Sequence, residues 1–183
     1  MPELNPADPT AFETRNLPYE GTPVTADKAT YTGPLADPSW IERGTAVTRY
    51  EDGSPYAYSP GTVPYGVEAV NVGWLEKDSE FPRGEAPAEF VQSLALLCRD
   101  DSRNAMRGLF PCPLPHQRDP GYPVSIVVGT QEVVLGNAEV RVVDQNGRWL
   151  IAPNLIHHYV TAHSYLPPAE FVEAVTARRS APK

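Results

Sequence analysis

Ala152-Pro153-Asn154-Leu155-Ile156-His157-His158-Tyr159-Val160-Thr161-Ala162-His163-Ser164-Tyr165-Leu166-Pro167-Pro168-Ala169-Glu170-Phe171 carries three of the chain's four histidines, two helix starts and a double proline. Placing Leu155 at zero and advancing about 100° per residue puts Leu155, Ile156, Tyr159, Val160 and His163 on one stripe. His158 falls at the margin of that stripe, and His157 points away from it. Asn154 is placed to cap a short helix from Leu155 to about His163. Pro167-Pro168 ends that helix, and Pro168-Ala169-Glu170-Phe171-Val172 opens a last one. The same residue types, Pro-Ala-Glu-Phe-Val, begin at Pro87. These are two uses of one helix-start chemistry: proline lacks the N–H that a first turn cannot bond, and glutamate meets the positive end of the helix dipole.

Upstream of this stretch, Val124 to Val128, Glu132 to Leu135, Ala138 to Val143 and Arg148 to Ile151 are rich in Val and Ile. Turn residues separate them, most clearly Asp144-Gln145-Asn146-Gly147, so they predict an antiparallel meander. Val67 to Leu75 alternates as a further strand, with Val70, Val72 and Trp74 on one face. The helix that starts at Pro87 runs from about Ala86 to Arg99 and sets Phe90, Val91, Leu94, Leu97 and Cys98 on one face. The expected class is therefore α+β: an antiparallel β-sheet flanked by one longer and two short helices.

The chain holds 21 prolines in 183 residues, roughly twice the usual share of about 5%. Residues 1–50 mix Pro, Thr, Asp and Gly without a sustained period and predict an irregular N-terminal arm, docked through Asp37-Pro38-Ser39-Trp40-Ile41. Residues 51–183 form the single domain. Between Tyr50 and Tyr65, turns are interleaved with tyrosines, which either lid a core edge or present a recognition surface. In Gly108-Leu109-Phe110-Pro111-Cys112-Pro113-Leu114-Pro115-His116, proline at alternate positions forbids helix and ladder pairing. Cys112 and His116 are therefore held on a stiff extended loop.

A net charge of −8 and a pI near 5.0 leave no basic surface to neutralise phosphates, so nucleic acid is excluded as a partner class. The same field favours a basic protein partner. No apolar run is long enough to cross a bilayer, and Met1-Pro2-Glu3-Leu4-Asn5 does not read as a signal peptide. The expected setting is cytoplasmic, where Cys98 and Cys112 are free thiols or metal ligands rather than a disulfide.

Two readings of the histidines stand side by side. A histidine on an apolar face is commonly a core residue whose ring nitrogens bond a carbonyl or hydroxyl. The second reading is a zinc site in which Cys112 and His116 on the proline loop meet His158 and His163 on the helix, with Cys98 able to replace His116. Residues five apart differ by about 140° around a helix, so that site requires the helix to loosen near Thr161 to Ser164. A thiol hydrolase built from Cys112, His158 or His163 and an acid such as Glu139 or Asp144 has its parts present. Against it, Cys112 does not stand at a helix N-terminus, the usual device for lowering a thiol pKa. Glu139 and Arg141 share a strand face, either as solvent-side decoration or with the carboxylate orienting a histidine.

The run Gly136-x-Ala138-Glu139-Val140-Arg141-Val142, Gly147, Ala152-Pro153-x-Leu155-Ile156-x-His158-Tyr159-Val160-x-x-His163-x-Tyr165-x-Pro167-Pro168-x-Glu170-Phe171 resembles the C-terminal signature of a small bacterial family of uncharacterised proteins. Val72-Gly73-Trp74-Leu75 and Pro87-Ala88-Glu89-Phe90 resemble its earlier blocks, so that the likeness spans roughly residues 67–175. The resemblance implies a Cys-x-x-Cys pair in relatives where this chain has Cys112-Pro113-Leu114-Pro115, so that Pro115 stands at the second cysteine position and a zinc site here is either degraded or borrows His116. It implies no reaction. The expected function is a non-enzymatic interaction module, immunity- or adaptor-like, binding a protein partner through its aromatic loops and arm. A zinc-dependent or thiol hydrolase centred on Cys112, His158 and His163 is the alternative.

Overall fold

The computed structural model describes residues 50–117 and 120–183. The expected arm and its docking point at Asp37-Pro38-Ser39-Trp40-Ile41 lie outside the described residues. Among those described, the order is β1 (Ala69–Asn71), α1 (Ala88–Asp100), β2 (Ser125–Val128), β3 (Gln131–Val134), β4 (Glu139–Val143), β5 (Trp149–Pro153), α2 (Ile156–His163) and α3 (Ala169–Thr176). The class is α+β, with helices and small antiparallel and mixed sheets. No described helix is long and apolar enough to cross a membrane.

The four Val- and Ile-rich segments fold as two hairpins rather than one continuous meander. β2 and β3 pair with each other, while β4 and β5 take β1 as a third strand, parallel to β5. The break lies at Gly136, whose φ of 90° turns the chain between β3 and β4 into a region that favours glycine. The Gly136 N–H donates to Asn154 Oδ1 at 2.7 Å. Asn154, read from sequence as a helix cap, is thus a buried strut: α2 has no side-chain cap, and Leu155 is its capping residue.

Alternation along β4 and β5 sorts side chains into two layers, because successive residues point to opposite faces. Val140, Val142, Leu150 and Ala152 join the main core with Phe90, Leu94, Ile156, Tyr159 and Phe171. Trp149 and Ile151 join Tyr56 and Ala181 in a second cluster on the other side, where Tyr58 and Trp74 pack against them. The sheet is covered on both faces, which explains why β5 reads as a near-continuous apolar run from Trp149 to Ala152. Trp74 does not share the face of Val70 and Val72: Gly73, at φ 66°, redirects the chain, and Trp74 packs in the second cluster. A Cβ at Gly73 would stand 2.7 Å from Ile156 Cδ1.

On α1, Phe90, Leu94, Leu97 and Cys98 are buried as the spacing requires, joined by Ser93. Phe90 meets Phe171 of α3 edge to face, with centroids 6.2 Å apart. Both rings are fully buried, and truncating either to alanine removes about 3–5 kcal/mol. α2 stays regular through His163 and ends at Ser164 in the left-handed region, φ 56°, so the double proline lies beyond the stop and does not cause it. The loosening expected near Thr161 is absent.

Candidate metal centre

Two elements bring the donors together. The proline loop is pinned at one end by the Phe110 N–H, which donates to the Gly136 carbonyl at 2.8 Å. Further along, Leu114 inserts into the main core. Between and after these anchors, Cys112 and His116 face α2 at His158 and His163. That helix is fixed by Leu155, Ile156, Tyr159 and Val160, all in the core, so His158 and His163 have little freedom to withdraw.

All four side chains meet. Cys112 Sγ lies 3.4 Å from His163 Nε2, His116 Nε2 lies 2.9 Å from His158 Nε2, and His163 Nε2 lies 3.1 Å from His116 Nε2. The four donor atoms all fall within 4.8 Å of one another. A tetrahedral zinc with Zn–N of about 2.0–2.1 Å implies nitrogen–nitrogen edges of about 3.3–3.4 Å; the two nitrogen pairs at 2.9 and 3.1 Å fall just below that edge, and the widest separations, within 4.8 Å, would have to close on an ion. The five-residue spacing of His158 and His163 is bridged from outside the helix, since His116 sits within reach of both rings.

Hydrogen bonding alone serves these rings badly. Each Nε2 offers one in-plane position, either an N–H or a lone pair. His116 Nε2 faces two other Nε2 atoms and can satisfy only one of them well. A single cation accepting every lone pair removes the conflict, and the residues present fit such an ion.

The electrostatics prepare the same outcome. Burial, and then the neighbouring His163, His116 and His157, push the His158 pKa down to about 4. Burial, His116 and Arg83 lower that of His163. These two imidazoles are therefore neutral at pH 7, the form that coordinates a metal. Burial raises the Cys112 thiol, partly offset by a backbone hydrogen bond from Leu114, so the thiol holds its proton until something displaces it. A raised thiol is a poor nucleophile.

Other expected candidates lie elsewhere. Cys98 is in the core, its thiol pushed up to about 12 by burial and donating to the Asn154 carbonyl at 3.6 Å. It does not replace His116. His157, read as pointing away from the apolar stripe, is 8% exposed, with a buried Nδ1 that has no hydrogen-bond partner among the described residues; the first turn of α2 is enclosed on every side.

Glu139 and Arg141 are neither solvent decoration nor a histidine's support. Glu139 Oε1 accepts from Tyr56 Oη at 2.5 Å and Asn104 Nδ2 at 3.1 Å. Its Oε2 accepts from Arg141 Nε and Nη2. The partners come from residues 83 and 35 positions away in sequence, which no local pattern could reveal. Asp144 caps its own hairpin turn through the N–H groups of Asn146 and Arg148.

Beside the donor cluster opens a cleft of about 410 Å3. Phe110, Pro111 and Pro113 of the proline loop form one wall, Tyr159 of α2 adjoins them, and Tyr50, Tyr58 and Trp74 form another. Of the tyrosines in the 50–65 segment, Tyr56 is buried in the second cluster, whereas Tyr65 is fully exposed.

Fold and site together define an α+β domain with a one-cysteine, three-histidine donor cluster next to an aromatic cleft. The chain belongs to the family described as Domain of unknown function (DUF7919), which matches residues 48–176. No curated protein and no solved structure matches the chain.

Proposed function

We propose that this protein is a zinc-stabilised binding module, in which the metal has a structural role and the aromatic cleft beside it is the working surface. The observation that carries the reading is the convergence of Cys112, His116, His158 and His163 within 4.8 Å on the loop that also walls the cleft. Four protein donors complete a tetrahedron, as structural zinc sites do, whereas a catalytic zinc keeps a position open for water or substrate. Against the hydrolase alternative, four protein donors would leave no such position, and burial raises the Cys112 thiol. The metal would tie the proline loop to α2 and so fix the shape of the cleft.

A cytosolic, bacterial setting suits this reading, because reducing conditions keep Cys112 available as a ligand. The test is cobalt substitution. The Co(II) form is expected to show tetrahedral ligand-field bands with a sulfur-to-metal charge-transfer band. Loss of that band in Cys112→Ser, with tetrahedral bands weakened in His158→Ala, supports the donor set. A spectrum of octahedral cobalt without sulfur character would overturn it.

A further inference from the structure

The aromatic cleft does not stand alone. Tyr50, Trp74, Leu75 and Glu76 line both it and a second, wider cleft of about 870 Å3. These four shared residues set the two clefts side by side. The first is apolar in character, and its mouth carries Met106 and Phe110, 47% and 57% exposed. Lining the same cleft as Tyr50, Tyr58 and Trp74, these two side chains extend a contiguous apolar patch, which is what marks an interaction surface.

The second cleft has the opposite chemistry. Glu51, Asp52, Glu76, Asp78 and Glu80 line it, next to Phe81 and Pro167. Among the described residues, neither cleft is lined by a lysine, arginine or histidine. Asp52 is engaged internally, accepting from the Gly73 N–H and from Tyr165 Oη. Glu139, at the wall of the first cleft, is matched by Arg141. Glu76, Asp78 and Glu80 are exposed, and no ion pair to them forms among the described residues.

We propose that the two adjoining clefts dock a basic peptide segment of a protein partner, with a bulky apolar side chain in the aromatic cleft and flanking lysine or arginine over Glu76, Asp78 and Glu80. This rests on the binding-module reading above and names the partner's chemistry. Charge complementarity decides between occupants: an acidic or phosphorylated segment would face three exposed carboxylates, Glu76, Asp78 and Glu80, against Lys77 and Arg83 on the same segment, and a small organic cation would leave the apolar cleft unfilled. Tyr50, Tyr58 and Trp74 form a ready apolar wall, their ring centroids 4.8–6.3 Å apart, and rigid aromatic walls cost little entropy on binding. The faces of such rings also attract a lysine or arginine head.

The experiment uses the full chain, with its zinc content measured beforehand, and a set of pentapeptides. The central residue is Phe, Leu, Trp or Ala, flanked on each side by pairs of Lys, Gln or Glu, and binding is read by calorimetry and peptide-label anisotropy. At least one Lys-flanked peptide with a large centre is expected to bind about ten-fold more tightly than its Gln counterpart, and the Ala-centred peptide more weakly. Glu76→Lys and Glu80→Lys should each weaken it about three-fold. Glu132→Lys, which makes the same charge change on an exposed position of β3 away from both clefts, should leave it unchanged. Preference for Gln- or Glu-flanked peptides overturns the basic partner while leaving the binding reading in place. Equal effects of all three charge reversals, binding by tetramethylammonium alone, or binding by no peptide in the set overturns the inference. The zinc centre stands or falls on its own spectrum.

Discussion

Cys112 Sγ lies 3.4 Å from His163 Nε2 across 51 residues of sequence, although neither residue is in a motif that names the other. The contact exists because two independent anchors hold its ends. Leu114 roots the proline loop in the core, and Ile156, Tyr159 and Val160 root α2 there.

The loop's other anchor gives the first prediction. A Cβ at Gly136 would stand 2.4 Å from the Phe110 carbonyl oxygen, at a φ of 90°. Backbone cannot yield as a flexible side chain would, so Gly136→Ala pushes the loop away and strains its own turn. The expected loss is about 1–3 kcal/mol in urea unfolding, with zinc affinity reduced at least about ten-fold as Cys112 and His116 move off. Gly147→Ala serves as the comparison, because its φ is also positive but nothing lies within 4 Å of its Cβ position. It should lower stability and leave zinc affinity unchanged.

The Glu139–Arg141 pair gives the second. Its side chains are 3% and 6% exposed, and removing one charge leaves the other buried. Arg141→Met should cost about 3–5 kcal/mol, and Glu139→Gln combined with Arg141→Met should recover part of it, since breaking a buried pair costs more than replacing both partners. Chemical denaturation of the single and double variants measures this. Equal losses in both would contradict the assignment.

Proton displacement gives the third. At the proposed centre, zinc would have to expel the proton from Cys112, whose thiol is raised by burial, while His158, at about 4, is already neutral. From pH 7 to 8 apparent zinc affinity should therefore rise about ten-fold, one proton per ion bound, with the slope lost in Cys112→Ala. The depressed pKa of His158 sets the sign for the metal-free protein. An unfolded chain binds more protons between the ordinary value of 6.5 and about 4, so stability is full above pH 6.5 and falls as pH drops through that window. Chelator competition across pH and acid titration of the apo form check the two parts.

Much of this fold was legible because it follows local rules. The 3.6-residue spacing of Phe90, Leu94 and Leu97 gave α1, and Val-rich runs around Asp144-Gln145-Asn146-Gly147 gave the β4–β5 hairpin. What escaped is non-local. Nothing near Val70 announces that β1 lies parallel to β5, paired Val70 to Leu150, and nothing near Glu139 announces Tyr56. Asn154 looked like a cap because caps have a sequence signature, whereas a strut to Gly136 has none. The donor types were legible at Cys112, His116, His158 and His163, but their meeting depended on where the proline loop crosses α2, which only tertiary packing decides.

Elemental analysis of the purified full chain, alongside His163→Ala, tests the metal centre most directly. The account predicts about one zinc per chain, retained through gel filtration and reduced well below half occupancy in the variant. Wild-type protein that is folded, thermally stable and free of zinc after purification in zinc-supplemented medium would contradict it.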